Sequence, residues 1–196
     1  MRRAPVVACA ALLVAGPALA APRPDVTLAA GSTFAADAAP SGGGAAAALA
    51  LLWPAGERFA FGVEGFADDI GTTTATLVDP NDGATLGTVA AAHRWTFGGA
   101  WRGDAALWTR ARWQADARAL WGVWRVQDDV RGAVRDAVTR VGFGGGLSLR
   151  HGFSGGRSLG VALDARRVFP GAHGGAAWVS HYVTAALEWR WQGVRR

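Results

Sequence analysis

Hydrophobic and polar residues alternate with a period of two along most of this 196-residue chain, and helical periodicity is hard to find. The clearest case is residues 92–102, where one face carries aromatic side chains such as Trp95 and the other carries small or charged ones such as Arg94. A period of two is the spacing of a β-strand, because successive side chains point to opposite faces. The pattern therefore predicts an all-β protein.

Eight segments carry this alternation, and most have the about 9–11 residues that a tilted transmembrane strand needs. They span residues 26–35, 44–53, 58–68, 91–102, 107–126, 140–150, 158–168 and 178–191. Their connections are alternately short and long, which is typical of an outer-membrane barrel with short periplasmic turns. We therefore predict an eight-stranded antiparallel up-and-down transmembrane β-barrel. The fifth segment is too long for one crossing and its tryptophans fall on both faces, which indicates a bulge or a projection beyond the membrane.

The amino terminus has the pattern of a secretory signal peptide. Arg2 and Arg3 precede the apolar run 6–15, and small residues follow up to Ala20. We therefore predict a cleaved signal peptide over 1–20 and a barrel over 21–196 in a bacterial outer membrane; an uncleaved membrane anchor is the alternative. The single cysteine, Cys9, lies in the signal, so the mature chain has no thiol chemistry. No cofactor and no metal site are expected.

Aromatic residues concentrate at the ends of the predicted strands. Indole rings favour a membrane interface because they are apolar and carry one N–H group. We therefore predict two aromatic girdles that flank an apolar band. The periplasmic girdle comprises Trp53, Phe59, Trp101, Trp108, Trp189 and Trp191, and the outer one comprises Phe66, Trp121, Trp124, Phe143, Phe169 and Trp178. The alternative is that these tryptophans fill the core of a soluble periplasmic barrel that binds a ligand.

Charged residues on the strands are predicted to point into the lumen, since a lipid-facing Arg near the midplane costs about 2–4 kcal/mol. An eight-stranded lumen is narrow enough for side chains to fill, so a network of Arg–carboxylate pairs is expected. The predicted network comprises Glu64, Arg94, Arg110, Arg112, Asp116, Arg118, Arg150, Asp164, Arg166, Glu188 and Arg190. Gly142, Gly144 and Gly146 leave a bare inner face that can admit bulky neighbours. Arginines outnumber acids in this set, so a narrow anion-preferring pore is an alternative.

The last predicted strand ends in alternating aromatic residues. Over residues 179–191, Leu187, Trp189 and Trp191 alternate with polar residues such as Glu188. The segment resembles the C-terminal strand of small OmpA/OmpX-type outer-membrane barrels, although five residues follow Trp191, whereas that family usually ends on the aromatic. The resemblance implies an OmpA/OmpX-like barrel whose last strand is recognised by the barrel-assembly machinery. Outer-membrane lipids and extracellular loop partners are the other expected partners.

Catalytic chemistry is not predicted. Ser180 and His181 are adjacent and point to opposite faces, and His151 and Ser154 lie near a turn, so neither pair brings a base to a nucleophile. A lipid-modifying outer-membrane enzyme remains an alternative. The net charge is +5, but the arginines are spread along the chain, and no nucleic-acid partner is expected. Residues 79–83 are typical of a turn and lack the EF-hand spacing. The expected role is structural, or the presentation of loops at the surface.

Overall fold

The computed structural model describes residues 23–35, 44–78, 81–82, 84–130, 133–169 and 181–193. They form eight strands: β1 (Asp25–Ala35), β2 (Gly44–Pro54), β3 (Phe59–Val78), β4 (Thr85–Arg110), β5 (Trp113–Val130), β6 (Ala133–Phe153), β7 (Arg157–Val168) and β8 (His181–Trp191). Each strand pairs antiparallel with the next, and β8 pairs with β1. The predicted closed antiparallel barrel is therefore confirmed. The predicted signal peptide lies outside the described residues.

The strands are staggered by ten residues around the barrel. Cross-strand pairing leads from Asp25 through Leu52, Gly62, Arg102, Leu120, Gly144, Arg166 and Tyr182 back to β1 at Ala35 (35 − 25 = 10). A stagger of this size in eight strands corresponds to a tilt of about 40–45° and to a lumen only wide enough for side chains. No helix in the described ranges is long and apolar enough to cross a membrane.

The two ends of the barrel differ in how the strands are joined. Short turns at residues 55–58, 111–112 and 154–156 lie at one end, together with both described termini, and we call it the turn end. The opposite end is the loop end. There β3 and β4 stay paired as far as Val78 and Thr85, although the last β2–β3 pair is Ala46 with Asp68. β3 and β4 thus extend beyond β2 as a paired hairpin, and β5 and β6 extend in the same way beyond β7.

The predicted boundary between the fourth and fifth strands is wrong. Gly103 and Asp104 were expected in a turn, but β4 runs on to Arg110 and the turn is formed by Ala111 and Arg112. Ala111 has a φ of 53°, a conformation that hairpin turns usually assign to Gly, Asn or Asp. This turn therefore lacks its usual sequence signal. Residues 107–110 belong to β4, and the register shift lies between Ala106 and Trp108. The fifth strand is still long, at 18 residues, because it continues into the loop-end hairpin with β6.

The barrel is polar inside and apolar outside, the reverse of a water-soluble protein. Arg102 and Glu64 are each 2% exposed in the lumen, whereas Leu187 is 61% and Trp101 65% exposed on the outer wall. A water-soluble barrel gains stability by removing such apolar side chains from water. The alternative in which the tryptophans fill a soluble core is therefore wrong for the exposed ones on this wall. The apolar outer wall is therefore suited to a non-aqueous environment such as a membrane.

Candidate functional site

The lumen contains a cluster of buried charges. Its acids are Asp25, Glu64, Asp68, Asp104, Asp116, Asp164 and Glu188, and its arginines are Arg94, Arg102, Arg118, Arg150, Arg166 and Arg190. Among the described residues the buried acids thus outnumber the buried arginines by one (7 − 6 = 1). The excess of inward arginines on which the anion-preferring pore was based is not found.

Arg102 on β4 lies at the centre of this cluster. Its Nη1 is 2.9 Å from Glu64 on β3, and its Nε is 2.8 Å from Asp104, two residues further along the same strand. Its Nη2 also reaches Glu188 on β8 at 3.4 Å. The planar guanidinium presents its donors in a fixed fork, so one side chain can hold several carboxylates at once. Arg102 therefore links β3, β4 and β8 across the lumen.

Two more arginines extend the network across the lumen. Arg118 donates to Asp164 at 3.1 Å and also to Glu188. Arg166 on β7 donates to Glu64 and to Asp68, both at 2.9 Å. Glu64 and Glu188 are therefore each shared by two arginines. Since these groups come from β3, β5, β7 and β8, the network joins opposite sides of the barrel.

Each end of the lumen is closed by further contacts. At the turn end Arg190 is 2.8 Å from Asp25 and 3.2 Å from Asp104. Towards the loop end the Tyr182 hydroxyl donates to Asp68 at 2.9 Å and accepts a hydrogen bond from Trp124 Nε1 at 3.0 Å. Tyr182 and Trp124 pack in a cluster of buried apolar side chains that includes Ile70, Val126 and Val168. An internal cavity of about 10 Å³ beside the ion pairs has room for a single water. Side chains thus fill the lumen.

Sequence reasoning placed most lumen charges with two errors, but it omitted four charged residues and one tyrosine. All of the predicted lumen residues are buried except Arg110 and Arg112, which are exposed where β4 ends and turns. Arg110 ends β4 and Arg112 lies in the turn that follows, so both side chains lie beyond the end of the lumen. The omitted lumen residues are Asp25, Asp68, Arg102, Asp104 and Tyr182. Asp104 was missed because the predicted strand ended at residue 102. Arg102, the last residue of that strand, shares the face of Arg94 but was not included in the predicted network.

The predicted girdle residues fall in different parts of the wall. Trp53, Phe59, Trp108, Trp189 and Trp191 lie near strand ends at the turn end. Four assignments are wrong. Phe66 and Trp124 are buried in the lumen, and Trp124 has the opposite parity to the exposed Trp121 on the same strand. Trp101 and Trp121 pair with each other in the middle of the wall, with Trp101 nine residues before the end of β4 (110 − 101 = 9). Trp178 lies outside the described residues.

The bare inner face of β6 provides the space for Trp124. A methyl group at Gly142 would lie 2.8 Å from the Trp124 ring and 2.7 Å from the Arg167 carbonyl oxygen. At Gly144 it would lie 3.3 Å from both Arg166 and Leu120. The glycines therefore let large side chains from neighbouring strands lie directly against the β6 backbone, as the sequence suggested.

Gly142→Ala is expected to destabilise the barrel by about 1–3 kcal/mol, because the added methyl overpacks the Trp124 site. The matched control is Gly145→Ala on the outward face of the same strand, where the nearest atom would be 3.5 Å away. That variant should be neutral or slightly stabilising. Urea unfolding in detergent micelles measures both midpoints, and equal midpoints for the two variants would contradict the assignment.

The serine and histidine positions considered for catalysis form no nucleophile–base pair among the described residues. His151 packs its ring 4.8 Å from Trp113 and 5.2 Å from Phe153, while Ser154 lies in the turn that follows β6. His181 begins β8, and Ser180 lies outside the described residues. In the same described ranges no three His, Cys, Asp or Glu side chains are grouped so as to hold a metal ion.

Comparison with known proteins identifies the fold. No family model matches the chain, and no curated protein sequence matches it. Among solved structures, Neisserial surface protein A (NspA) superimposes with a TM-score of 0.62 at 10% identity, covering 86% of this chain and 96% of that one. A major outer membrane protein from Thermus thermophilus gives 0.60 at 9% identity, covering 87% and 98%. The resemblance to small OmpA/OmpX-type barrels is therefore confirmed at the level of the fold.

Proposed function

We propose that this chain is a bacterial outer-membrane protein without enzymatic activity, which spans the membrane as a closed, non-conducting barrel and presents its loop-end hairpins at the cell surface. The observation that carries this proposal is the inverted polarity of the barrel. Apolar side chains cover the outer wall, and the charges are buried in the lumen. A closed barrel also satisfies its backbone hydrogen bonds between strands, which is the condition for crossing hydrocarbon without a helix. The outer-membrane proteins that share the fold support this location.

The filled lumen supports a structural role rather than conduction. Ions crossing the barrel would have to separate Arg102 on β4 and Arg118 on β5 from Glu188 across the lumen on β8. Removing one partner of a buried pair leaves an uncompensated charge at a cost of several kcal/mol. The network therefore holds the strands together and closes the lumen, while the apolar cluster around Trp124 closes the loop end.

The β3–β4 hairpin supports a surface-interaction role. From Gly71 to Val78 the chain contains no charged residue, and within the described residues this part of β3 pairs only with β4. A strand edge with free N–H and C=O groups can pair with an extended segment of another protein. Native proteins usually protect such edges with charges, so an uncharged edge at the surface is suited to recognition by β-strand addition.

Single-cysteine labelling tests the proposed orientation, since the chain's only cysteine is Cys9 in the predicted signal peptide. Ala84→Cys lies at the loop end and Ala55→Cys, the matched control, at the turn end, and both positions are exposed. A membrane-impermeant maleimide should label Ala84→Cys on intact cells. It should label Ala55→Cys only after the outer membrane is permeabilised. Equal labelling of both on intact cells, or recovery of both in the soluble periplasmic fraction, would contradict the proposal.

A further inference from the structure

The outward faces of β5, β6, β7 and β8 carry arginines but no carboxylate among the side chains that the structure describes. Arg125 is exposed between the buried Trp124 and Val126, and Arg167 is exposed between the buried Arg166 and Val168. Both therefore point away from the lumen, near the loop ends of β5 and β7. The described acids of these four strands, in contrast, lie in the lumen: Asp116, Asp164 and Glu188. This wall thus combines positive charge with an apolar surface.

Neither outward arginine has a charged partner among the described side chains. Arg125 and Arg167 make no ion pair or side-chain hydrogen bond with another described residue. Arg125 is flanked by Phe97 and Thr139, and Arg167 by Phe143 and His181. An Arg that faces lipid is tolerated near the interface, where its cost falls to about 0–1 kcal/mol. The two guanidinium groups are therefore suited to the boundary between hydrocarbon and lipid headgroups.

An aromatic cluster surrounds Arg167, with Trp121 and Phe143 on its membrane side and Phe169 two residues nearer the loop end. The Phe169 ring is 5.4 Å from Phe143 and 6.4 Å from Trp121, so the three rings form one exposed platform across β5, β6 and the end of β7. Phe143 is the direct cross-strand neighbour of Arg167. A lipid with an anionic headgroup has the complementary arrangement, with charge at the boundary and acyl chains below it.

The register sets the separation of the two cations. Arg125 pairs with Thr139, and Arg167 with Phe143, so they are two strands apart and offset by four residues along β6 (143 − 139 = 4). With strand spacings of about 4.8 Å and a rise of about 3.3 Å per residue, their Cα atoms are roughly 16 Å apart. Long flexible side chains can bring the guanidinium groups closer than their Cα atoms, so the site suits two anionic groups about a nanometre apart rather than one shared phosphate.

We infer that Arg125 and Arg167 form a binding site for an anionic lipid whose headgroup carries two phosphate groups, with its acyl chains against Trp121 and Phe143. Guanidinium forks bind phosphate through two parallel hydrogen bonds, which favours phosphate over a dispersed negative charge. The inference rests on the proposed function, because it requires the wall to lie in a membrane. It assigns a binding site for one specific lipid to a wall that otherwise only contacts hydrocarbon chains.

Binding is tested with purified barrel in phosphatidylcholine nanodiscs that contain bisphosphorylated lipid A, its monophosphorylated form or its fully dephosphorylated form. Lipid retention is measured by native mass spectrometry. The wild-type barrel should retain the bisphosphorylated lipid at least about tenfold better than the double variant R125Q/R167Q, since each charge-assisted contact contributes about one factor of ten. Arg157→Gln, an outward arginine at the turn end of β7, is the matched control and should behave as the wild type.

Three outcomes would overturn the inference. They are equal retention by the wild type and R125Q/R167Q, equal retention of the phosphorylated and dephosphorylated lipids, or full competition by soluble glucosamine 1,6-bisphosphate, which would indicate a site for free phosphates. The heat-dependent gel shift of each barrel in phosphatidylcholine vesicles separates this inference from the proposed function. A barrel that inserts but shows no phosphate preference removes only the lipid site, whereas a barrel that never inserts removes the proposed function.

Discussion

Replacing Arg102 by methionine is expected to lower the free energy of unfolding by about 3–5 kcal/mol, although methionine fills a similar volume. The Arg102 side chain is 1% exposed and holds Glu64 and Asp104 at 2.9 and 2.8 Å. After its removal the buried acids exceed the buried arginines by two instead of one (7 − 5 = 2). A carboxylate in a region of low dielectric without its partner costs far more than the apolar contacts of methionine return. Urea unfolding in phospholipid vesicles, followed by the heat-dependent gel shift, measures the change.

A double-mutant cycle separates loss of charge from loss of packing. Asp104 makes two hydrogen bonds with Arg102, at 2.8 and 3.0 Å. The variant R102M/D104N should therefore cost less than the sum of R102M and D104N, because the double change removes both members of the pair. Arg112→Met in the exposed β4–β5 turn is the control, with an expected effect within about 0.5 kcal/mol. If R102M were as stable as R112M, the lumen network would not stabilise this barrel.

The overall fold was legible from the sequence because strand period, strand length and connection length agree with one another. Alternation assigned inward and outward faces, and parity alone therefore located Arg118, Asp164 and Glu188 in the lumen. The same alternation continues without interruption from Arg102 to Asp104. Treated as a strand rather than as a turn signal, Gly103-Asp104 would have added Asp104 to the predicted network beside Arg102. Parity was thus a better guide here than the composition of a turn.

The position of the β4–β5 turn and the burial of Trp124 could not be predicted from the sequence. The β4–β5 turn carries neither Gly nor Asn nor Asp, so Ala111 gave no signal for it. Trp124 was assigned to a girdle by its residue type, whereas the space that holds it is created by Gly142 on the neighbouring strand. That space depends on the cross-strand register between β5 and β6, which one strand's sequence does not specify. The position of the turn was therefore missed for lack of a local signal, and the burial of Trp124 was missed because it depends on long-range pairing.

Replacing Leu163 by arginine should cost about 2–4 kcal/mol of unfolding free energy in a phospholipid bilayer. Leu163 is 56% exposed in the middle of β7, next to Leu147 and Ala185 on the adjacent strands. In a water-soluble barrel, an arginine at so exposed a position would be neutral and would raise solubility, so the sign of the effect depends on the surrounding solvent. The control is Phe153→Arg at the turn end, where the cost should fall to about 0–1 kcal/mol. Urea unfolding of both variants in phospholipid vesicles gives the two values. A Leu163→Arg barrel as stable as the wild type would show that hydrocarbon does not surround this wall, and the lipid site at Arg125 and Arg167 would lose its basis as well.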